Sequence, residues 1–318
     1  MGQKKSYALD IMFLPENFKH KKNEHMIIVK LMGGLGNQMF QYAAARRLAF
    51  ANCAVLKVDL SWFKESAGVA TPRHYELHAL AIEENFATPE EVNRLVSGAA
   101  NPVRRIAGRL ISSLSRKAYI RESHFHFTPS LLILSGDVYL EGYWQSEKYF
   151  DDVTDIIRRE FTVKNAPDEW NRRIGEAVSE TDSVSLHMRR GDYVASKVAS
   201  DYHGVCSLDY YHAAISKITG QLRTPHFFIF SDDPAWAKEN LQVDHPATFV
   251  DHNDPDHGFE DLRLMSLCKH HIIANSSFSW WGAWLGSDPH KIVIAPKRWF
   301  NDERIDISDL LPDSWLRM

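Results

Sequence analysis

The segment His187-Met188-Arg189-Arg190-Gly191-Asp192-Tyr193 sets two adjacent arginines and a carboxylate around a glycine, directly after an apolar run. An arginine at the end of a strand can grip a diphosphate with two parallel N–H donors and offset the charge that a departing phosphate gathers. Neighbouring side chains of extended backbone point to opposite sides, so one arginine of the pair faces a ligand. The other is free to pair with a carboxylate such as Asp192. The plainer reading is a surface ion-pair turn.

Three further segments carry polar groups of the same kind. Gly33-Gly34-Leu35-Gly36-Asn37-Gln38 lets backbone N–H groups approach a ligand, with a helix N-terminus behind them. A dinucleotide fingerprint would need a third glycine where Met39 stands and a firmer acidic partner than Asp59. Asn37 and Gln38 become candidates for hydrogen bonds to sugar hydroxyls. In Phe230-Ser231-Asp232-Asp233-Pro234 a carboxylate at a strand's end can accept two hydrogen bonds from a guanine edge or a ribose. An aspartate before proline also caps helices well, and the two aspartates can divide these jobs. Asn275-Ser276-Ser277 places hydroxyls at a helix start, where free N–H groups make an anion site or simply a cap. Trp280, Trp281 and Trp284 follow on the same helix and read as core. The acidic loop around Asp254 and Asp256 could hold a divalent cation on a donor diphosphate. Against that, an arginine and a helix terminus already neutralise a diphosphate without metal.

The elements that must position these groups follow from periodicity. Met26 to Leu31 reads as a strand, a helical pattern runs through Met39, Phe40, Ala43, Ala44, Arg47 and Leu48, and Cys53 to Val58 reads as a second strand. That βαβ start implies a parallel sheet with a right-handed crossover. The stretch from about Ser61 to Glu122 is less regular. Val138 to Leu140 reads as a strand leading through GYWQSEKYF into a helix that ends at Arg159. From Ser183 onward strands and helices alternate cleanly: strands at Ser183–Met188, His226–Phe230, Ala247–Val250, His271–Ala274 and Lys291–Ala295, helices near Leu208–Ile218, Phe259–Cys268 and Ser279–Leu285. Two α/β halves meet at about residues 163 to 182. Each motif sits where a strand turns into a helix, which is where open α/β sheets bind ligands.

The chain has 318 residues, 44% hydrophobic and 25% charged, with net charge −4. This is ordinary globular composition, and nothing global suggests nucleic acid. No apolar run is long enough to span a membrane, and Ile11 to Leu14 is too short for a signal-peptide core. Cys53, Cys206 and Cys268 lie far apart, which argues against a disulfide framework or a CxxC metal site and suggests a reduced, cytoplasmic compartment. Residues 1–25 are polar and patternless and read as a disordered extension. Residues 103–117 join an apolar helical stripe to Arg104, Arg105, Arg109, Arg116 and Lys117. That stripe could dock peripherally on an anionic membrane, or pack on the first half.

Taken together, GGLGNQMFQYAAARRLA, HMRRGDY, FSDD and ANSSFSWWGAWL resemble, in order, the motifs of the α-1,2-fucosyltransferases, glycosyltransferase family 11. TPRHYEL, GYWQSEKYF, EDLRLMSLCKH and KIVIAPKRWF support the likeness, which covers about residues 26 to 300. The resemblance implies two Rossmann-like domains facing a cleft (the GT-B type of α/β fold), with an acceptor-side domain over 26–170 and a GDP-fucose-binding domain over 171–318. It implies inverting transfer of fucose from GDP-fucose to the 2-hydroxyl of a terminal galactose-type sugar, free or lipid-linked, with no metal or other cofactor. By similarity to the arginine motif of α-1,6- and protein O-fucosyltransferases, Arg189 contacts the β-phosphate and His187 lies near the nucleotide. On the same footing Asp232 or Asp233 binds guanine or ribose, Asn275, Ser276 and Ser277 hold phosphate, and Gly34, Gly36 and Asn37 reach across the cleft. Gln38, Tyr143, Trp144 and Gln145 are candidate acceptor contacts. The glutamate that follows the arginine motif in α-1,6 enzymes is replaced here by Lys197, so the base is not carried over; Asp192 is a candidate for it, with pairing an arginine as its alternative role. Eukaryotic members carry a membrane anchor, and its lack suggests a bacterial enzyme. The rival readings are a metal-dependent transferase using Asp254 and Asp256, and a non-catalytic nucleotide- or glycan-binding protein.

Overall fold

The computed structural model describes residues 25–65, 73–99, 117–191, 194 and 197–318. Its strands are β1 (Met26–Lys30), β2 (Val55–Asp59), β3 (Lys117–Arg121), β4 (Asp137–Glu141), β5 (Asp182–Met188), β6 (Pro225–Ser231), β7 (Ala247–Val250), β8 (His270–Ile272), β9 (Val293–Ala295) and β10 (Leu316–Arg317). Its helices are α1 (Leu35–Ala51), α2 (Ser61–Glu65), α3 (Pro89–Ala99), α4 (Thr154–Glu160), α5 (Glu169–Glu180), α6 (Lys197–His203), α7 (Leu208–Thr219), α8 (Pro234–Asn240), α9 (Gly258–Leu267) and α10 (Ser277–Leu285).

Among the described residues two sheets form, one ordered β2-β1-β4-β3 and the other β10-β9-β8-β5-β6-β7. Every pairing in both is parallel. Parallel strands need helices on their faces, so their residues are buried on both sides. Ile27, Ile28 and Val29 of β1 and Phe227, Phe228 and Phe230 of β6 are accordingly fully buried.

Both strand orders reverse at one place. In the first sheet the chain runs outward from β1 to β2, then crosses to β3 at the opposite edge and comes back to β4 beside β1. In the second it runs from β5 to β6 and β7, then returns to β8. The loops that leave such paired strands diverge and open a crevice at their carboxyl ends. The glycine loop leaves β1, Tyr143 to Gln145 follow β4, Arg189 leaves β5 and Asn275 to Ser277 follow β8. The two crevices face each other across the junction of α1 and α10, and this is the GT-B arrangement.

That junction is core rather than rim. Phe40 of α1 lies 4.5 Å from Trp280 and 4.9 Å from Trp281 of α10, centroid to centroid. Phe150 stacks on Trp281 at 5.3 Å. Each indole N–H has an acceptor: Trp280 donates to the Leu310 carbonyl, Trp281 to the Gly36 carbonyl and Trp284 to Glu147. The three tryptophans are therefore core with a polar tether, as large rings with one N–H require.

The structure adds α3 and β3 in the stretch that had no regular pattern. It also breaks the helix expected after GYWQSEKYF into two 3-10 turns, Glu147–Tyr149 and Asp151–Val153, before α4. Phe150 between them leaves the helical region, at φ −148° and ψ 15°, and its ring is buried against Trp281. Among the described residues no helix is long and apolar enough to cross a membrane. The basic stripe over 103–117 lies outside the described residues apart from Lys117.

Candidate active site

A cleft of about 570 Å³ lies between the sheets, lined by both halves. Arg189 enters it from the end of β5. Its Nη1 lies 3.1 Å from Asp232 Oδ2, and Asp232 Oδ1 accepts the Arg190 N–H at 2.8 Å. Gly191 permits this closeness, because a Cβ there would stand 2.6 Å from Asp232 Oδ2. Arg190 turns the other way, as alternation requires, and its guanidinium lies 3.5 Å over the Trp236 ring. Its carboxylate is Asp233, at 3.7 Å. Asp233 also caps α8 by accepting the Trp236 N–H, so the two aspartates divide their work: Asp232 in the cleft with Arg189, Asp233 on the helix behind. Asp192 lies outside the described residues.

His187 lines the same wall. Burial, and then the charge of Arg189, push its imidazole down to about 3, so the ring is neutral near pH 7. Its Nδ1 is buried with no hydrogen-bond partner among the described residues. A buried polar atom left so calls for a partner, and here the cleft is the open side.

The N-terminus of α10 forms the floor. Ser276 precedes it with no capping hydrogen bond from its own side chain, and Ser276, Ser277 and Phe278 line the cleft there. The opposite end carries the helix's cations. Arg158 donates to the Trp284 and Leu285 carbonyls, and Lys291 to those of Ala283, Trp284 and Gly286. Burial, then Arg158, lower the Lys291 ammonium to about 8. A second cavity, about 510 Å³, adjoins these two residues, whose side chains both bond to the helix end.

Asn275 is not free for a ligand through its amide nitrogen, which donates to the carbonyls of His203, Gly204 and Trp299. It fixes the loop that Ser276 and Ser277 continue. From the first half, Asn37 Oδ1 accepts the Ser277 hydroxyl at 2.8 Å and the Gln145 amide at 2.7 Å. Gly36 lies against the backbone of the other half: a Cβ on it would meet Ser277 C and Phe278 N at 2.5 Å. The glycine is needed for that contact. Gly34 is the N-cap of α1 and faces the cleft beside Arg73 and Glu76.

Two expected acceptor contacts point elsewhere. The Gln38 side chain is fully buried; its amide donates to the carbonyls of Gly33 and His74 and its oxygen accepts the Glu76 N–H. Asn37 and Gln38 stand about 100° apart on the helix, so one faces the cleft and the other the loop behind it. Trp144 is 2% exposed and packs edge-on against Tyr149, while Tyr143 and Gln145 on either side line the cleft. Tyr202, 44% exposed, which the motif reading missed, lines the cleft together with Tyr143, 37% exposed. Phe125 and Phe300 join them at that end of the cleft, 4.9 Å apart.

Two further carboxyls were also missed. Asp261, in the EDLRLMSLCKH segment, accepts the Asn253 amide at 2.7 Å at the far end of the cleft, and burial raises it to about 7. Asn253 is itself locked by reciprocal bonds to Asn171 of α5. Glu76, in TPRHYEL, lines the first-half wall, and burial raises its carboxyl above the ordinary range. Asp254 spends its Oδ1 on the N–H groups of Asp256 and His257 and on the His257 ring, as the cap of a short turn.

The sequence model of the family described as Glycosyl transferase family 11 matches residues 104–317. An alpha-1,2-colitosyltransferase of Escherichia coli is 34% identical over 297 residues, which cover 92% of this chain and 99% of that protein. The O-antigen biosynthesis glycosyltransferase WbnK of Escherichia coli is 33% identical over 304 residues, 91% of this chain and 99% of that one. The galactoside 2-alpha-L-fucosyltransferase Sec1 of Mus musculus is 23% identical over 273 residues, 84% of this chain and 66% of that one.

Proposed function

The chain belongs to glycosyltransferase family 11, and we propose that it moves L-fucose from GDP-fucose to the 2-hydroxyl of a terminal galactose-type sugar, with inversion and without a metal. The observation that carries this reading is the meeting of Arg189 with the open N-terminus of α10 in a cleft shared by both sheets. A guanidinium and a helix terminus converge where a diphosphate leaving group gathers charge, and such preorganised charge favours the transition state over the ground state. Asp232 orients Arg189 in the absence of ligand. Asp261 suits the guanine, whose N1–H and N2–H donors match an ionised carboxylate. The neutral His187 ring offers its buried nitrogen to the donor. Tyr143 and Tyr202 present solvent-facing rings to the apolar face of the acceptor sugar, with Gln145 beside them for its hydroxyls.

In the reaction the acceptor oxygen forms a bond to the anomeric carbon on the face opposite GDP. The bond from that carbon to the β-phosphate oxygen breaks, and its electron pair stays with GDP, held by Arg189 and the α10 terminus. A second donor has a specific observation behind it. The E. coli colitosyltransferase is 34% identical, and colitose is fucose without its 3-hydroxyl, so a colitosyl donor fits the same cleft. The natural acceptor on either reading is an O-antigen or related glycan.

Incubation with GDP-fucose and, in parallel, GDP-colitose, against lactose and type 1 and type 2 galactosides, followed by linkage analysis, tests the proposal. An α-1,2-linked product is expected, and Arg189→Ala should reduce its formation by at least about 10²-fold with the fold intact. Near-normal turnover by that variant would sink the leaving-group assignment.

A further inference from the structure

Five carboxylates among the described residues line the cleft: Glu76, Asp232, Asp251, Asp254 and Asp261. Asp232 is paired with Arg189, Asp251 with Lys238, and Asp254 with its own turn and His257. Asp261 holds Asn253 from α9, on the second half. Glu76 belongs to the first half and forms no ion pair among the described residues. We propose that Glu76 is the catalytic base that takes the proton of the acceptor hydroxyl, an inference that rests on the sugar-transfer reading above.

The geometry of an inverting displacement decides which wall can hold the base. The leaving group departs toward Arg189 and the α10 terminus, both on the second half. The acceptor enters from the opposite face, which is the first-half wall. Glu76 Oε1 stands 3.7 Å from the point a Cβ on Gly34 would occupy. Two residues on from Gly34, Gly36 packs onto the backbone of Ser277 at the start of α10, and Asn37 bonds the Ser277 hydroxyl. The carboxylate thus flanks the glycine loop that faces the anion site. Its position is braced, because Gln38 ties the Glu76 N–H to the His74 and Gly33 carbonyls. The burial of Gln38, unexpected for an acceptor contact, has a purpose in this frame: it fixes the loop that carries the base.

The surroundings suit proton uptake. Arg73, His74 and His78 and the Leu35 N–H favour the ionised carboxylate, while burial opposes it more strongly. Burial raises the carboxyl above its ordinary value, and a carboxylate so raised is a stronger base than an ordinary one. In the step, the acceptor oxygen bonds to the anomeric carbon as the carbon–phosphate oxygen bond breaks toward GDP, and the hydroxyl proton passes to the Glu76 carboxylate and then to water.

The alternative role for Glu76 is to cap α1 through the Leu35 N–H. Glu76→Gln keeps an oxygen for that bond and removes the base. We expect kcat for transfer to lactose to fall about 10²–10⁴-fold in Glu76→Gln, with GDP affinity and melting temperature close to wild type. The acidic limb of the wild-type kcat profile, which reports ionisation of the base, should disappear. Glu76→Ala should regain activity in formate, which supplies a diffusible carboxylate. Glu76→Gln turnover within about threefold of wild type overturns the assignment, and so does a loss of activity matched by lost GDP affinity and not rescued by formate in Glu76→Ala. A wild-type protein that transfers nothing from either donor overturns the sugar-transfer reading along with it; a wild type active beside an equally active Glu76→Gln overturns the base alone.

Discussion

Asp261 carries a cost in the free protein that a ligand can relieve. Burial raises its carboxyl to about 7 despite the hydrogen bond from Asn253. The folded chain therefore holds a proton that the unfolded chain releases near pH 4. The resulting stabilisation of the ligand-free protein is complete below that pH and is lost as pH rises through about 7. A guanine edge donating to the carboxylate reverses the preference and expels the proton. GDP should accordingly bind about tenfold more tightly at pH 8 than at pH 6, beyond the titration of its own phosphate. Calorimetry in buffers of different ionisation enthalpy would read the proton release directly. Asp261→Asn should abolish that release; the same release in wild type and variant would remove Asp261 from base recognition. Arg189 and Asp261 differ in legibility. Paired arginines at a strand's end announce an anion, whereas an aspartate in the first turn of a helix reads as favourable placement on the dipole, and only burial reveals its other side.

At the level of elements, α10 is the part on which both halves depend. Its N-terminus faces the cleft, its tryptophans fill the joint, and Arg158 and Lys291 satisfy its far end. The approach of Gly36 to Ser277 sets how near α1 can come. Gly36→Ala should cost about 1–3 kcal/mol in chemical denaturation and weaken GDP binding, because the inserted methyl can be housed only by moving one backbone from the other. Gly220→Ala, whose methyl would sit 3.5 Å from its nearest neighbour, is the control and should be close to neutral. Wild-type stability and GDP affinity in Gly36→Ala would show that the joint is slack. The strands and helices of the second half were legible because apolar runs end there in clear turn residues, as Ser231 to Pro234 do after β6. The side chains on them were less so. Gln38 and Trp144 are polar-tipped residues beside true cleft residues, and a shift of one position along the chain turns each away from the cleft. Tyr202 lay in a segment without a motif, and Glu76 in TPRHYEL, which carried likeness but no assigned role; both enter the site only because distant loops converge there.

For the molecule as a whole, two parallel sheets with one reversal each are enough to locate the cleft, since both crevices lie at strand ends that the α1–α10 joint brings together. The parallel sheets were foreseeable from alternating strands and helices; the facing of the crevices was not, because it depends on aromatic packing between residues more than 200 positions apart, such as Phe40 and Trp281. The metal question belongs at this scale, because it asks whether the cleft is electrostatically complete. On the proposed reading Arg189 and the α10 terminus supply positive potential at the leaving group, and Asp254 caps its own turn. Transfer by protein dialysed against EDTA should therefore stay within about twofold of untreated protein, a difference of well under 1 kcal/mol in barrier. Loss of activity restored by Mn²⁺ or Mg²⁺ would point instead to the Asp254 loop.

The Gly36–Ser277 contact also bears on how such enzymes can be re-engineered. Grafting the second half of one transferase onto the first half of another is an obvious route to a new pairing of donor and acceptor. Here the graft boundary cannot be the connector between the halves alone. Phe40, Phe150 and the Gly36 carbonyl are the complement of Trp280 and Trp281. A chimera that takes α10 from one parent must take this face of α1 and the Phe150 turn with it, or it will inherit both catalytic walls and lack a seam that closes.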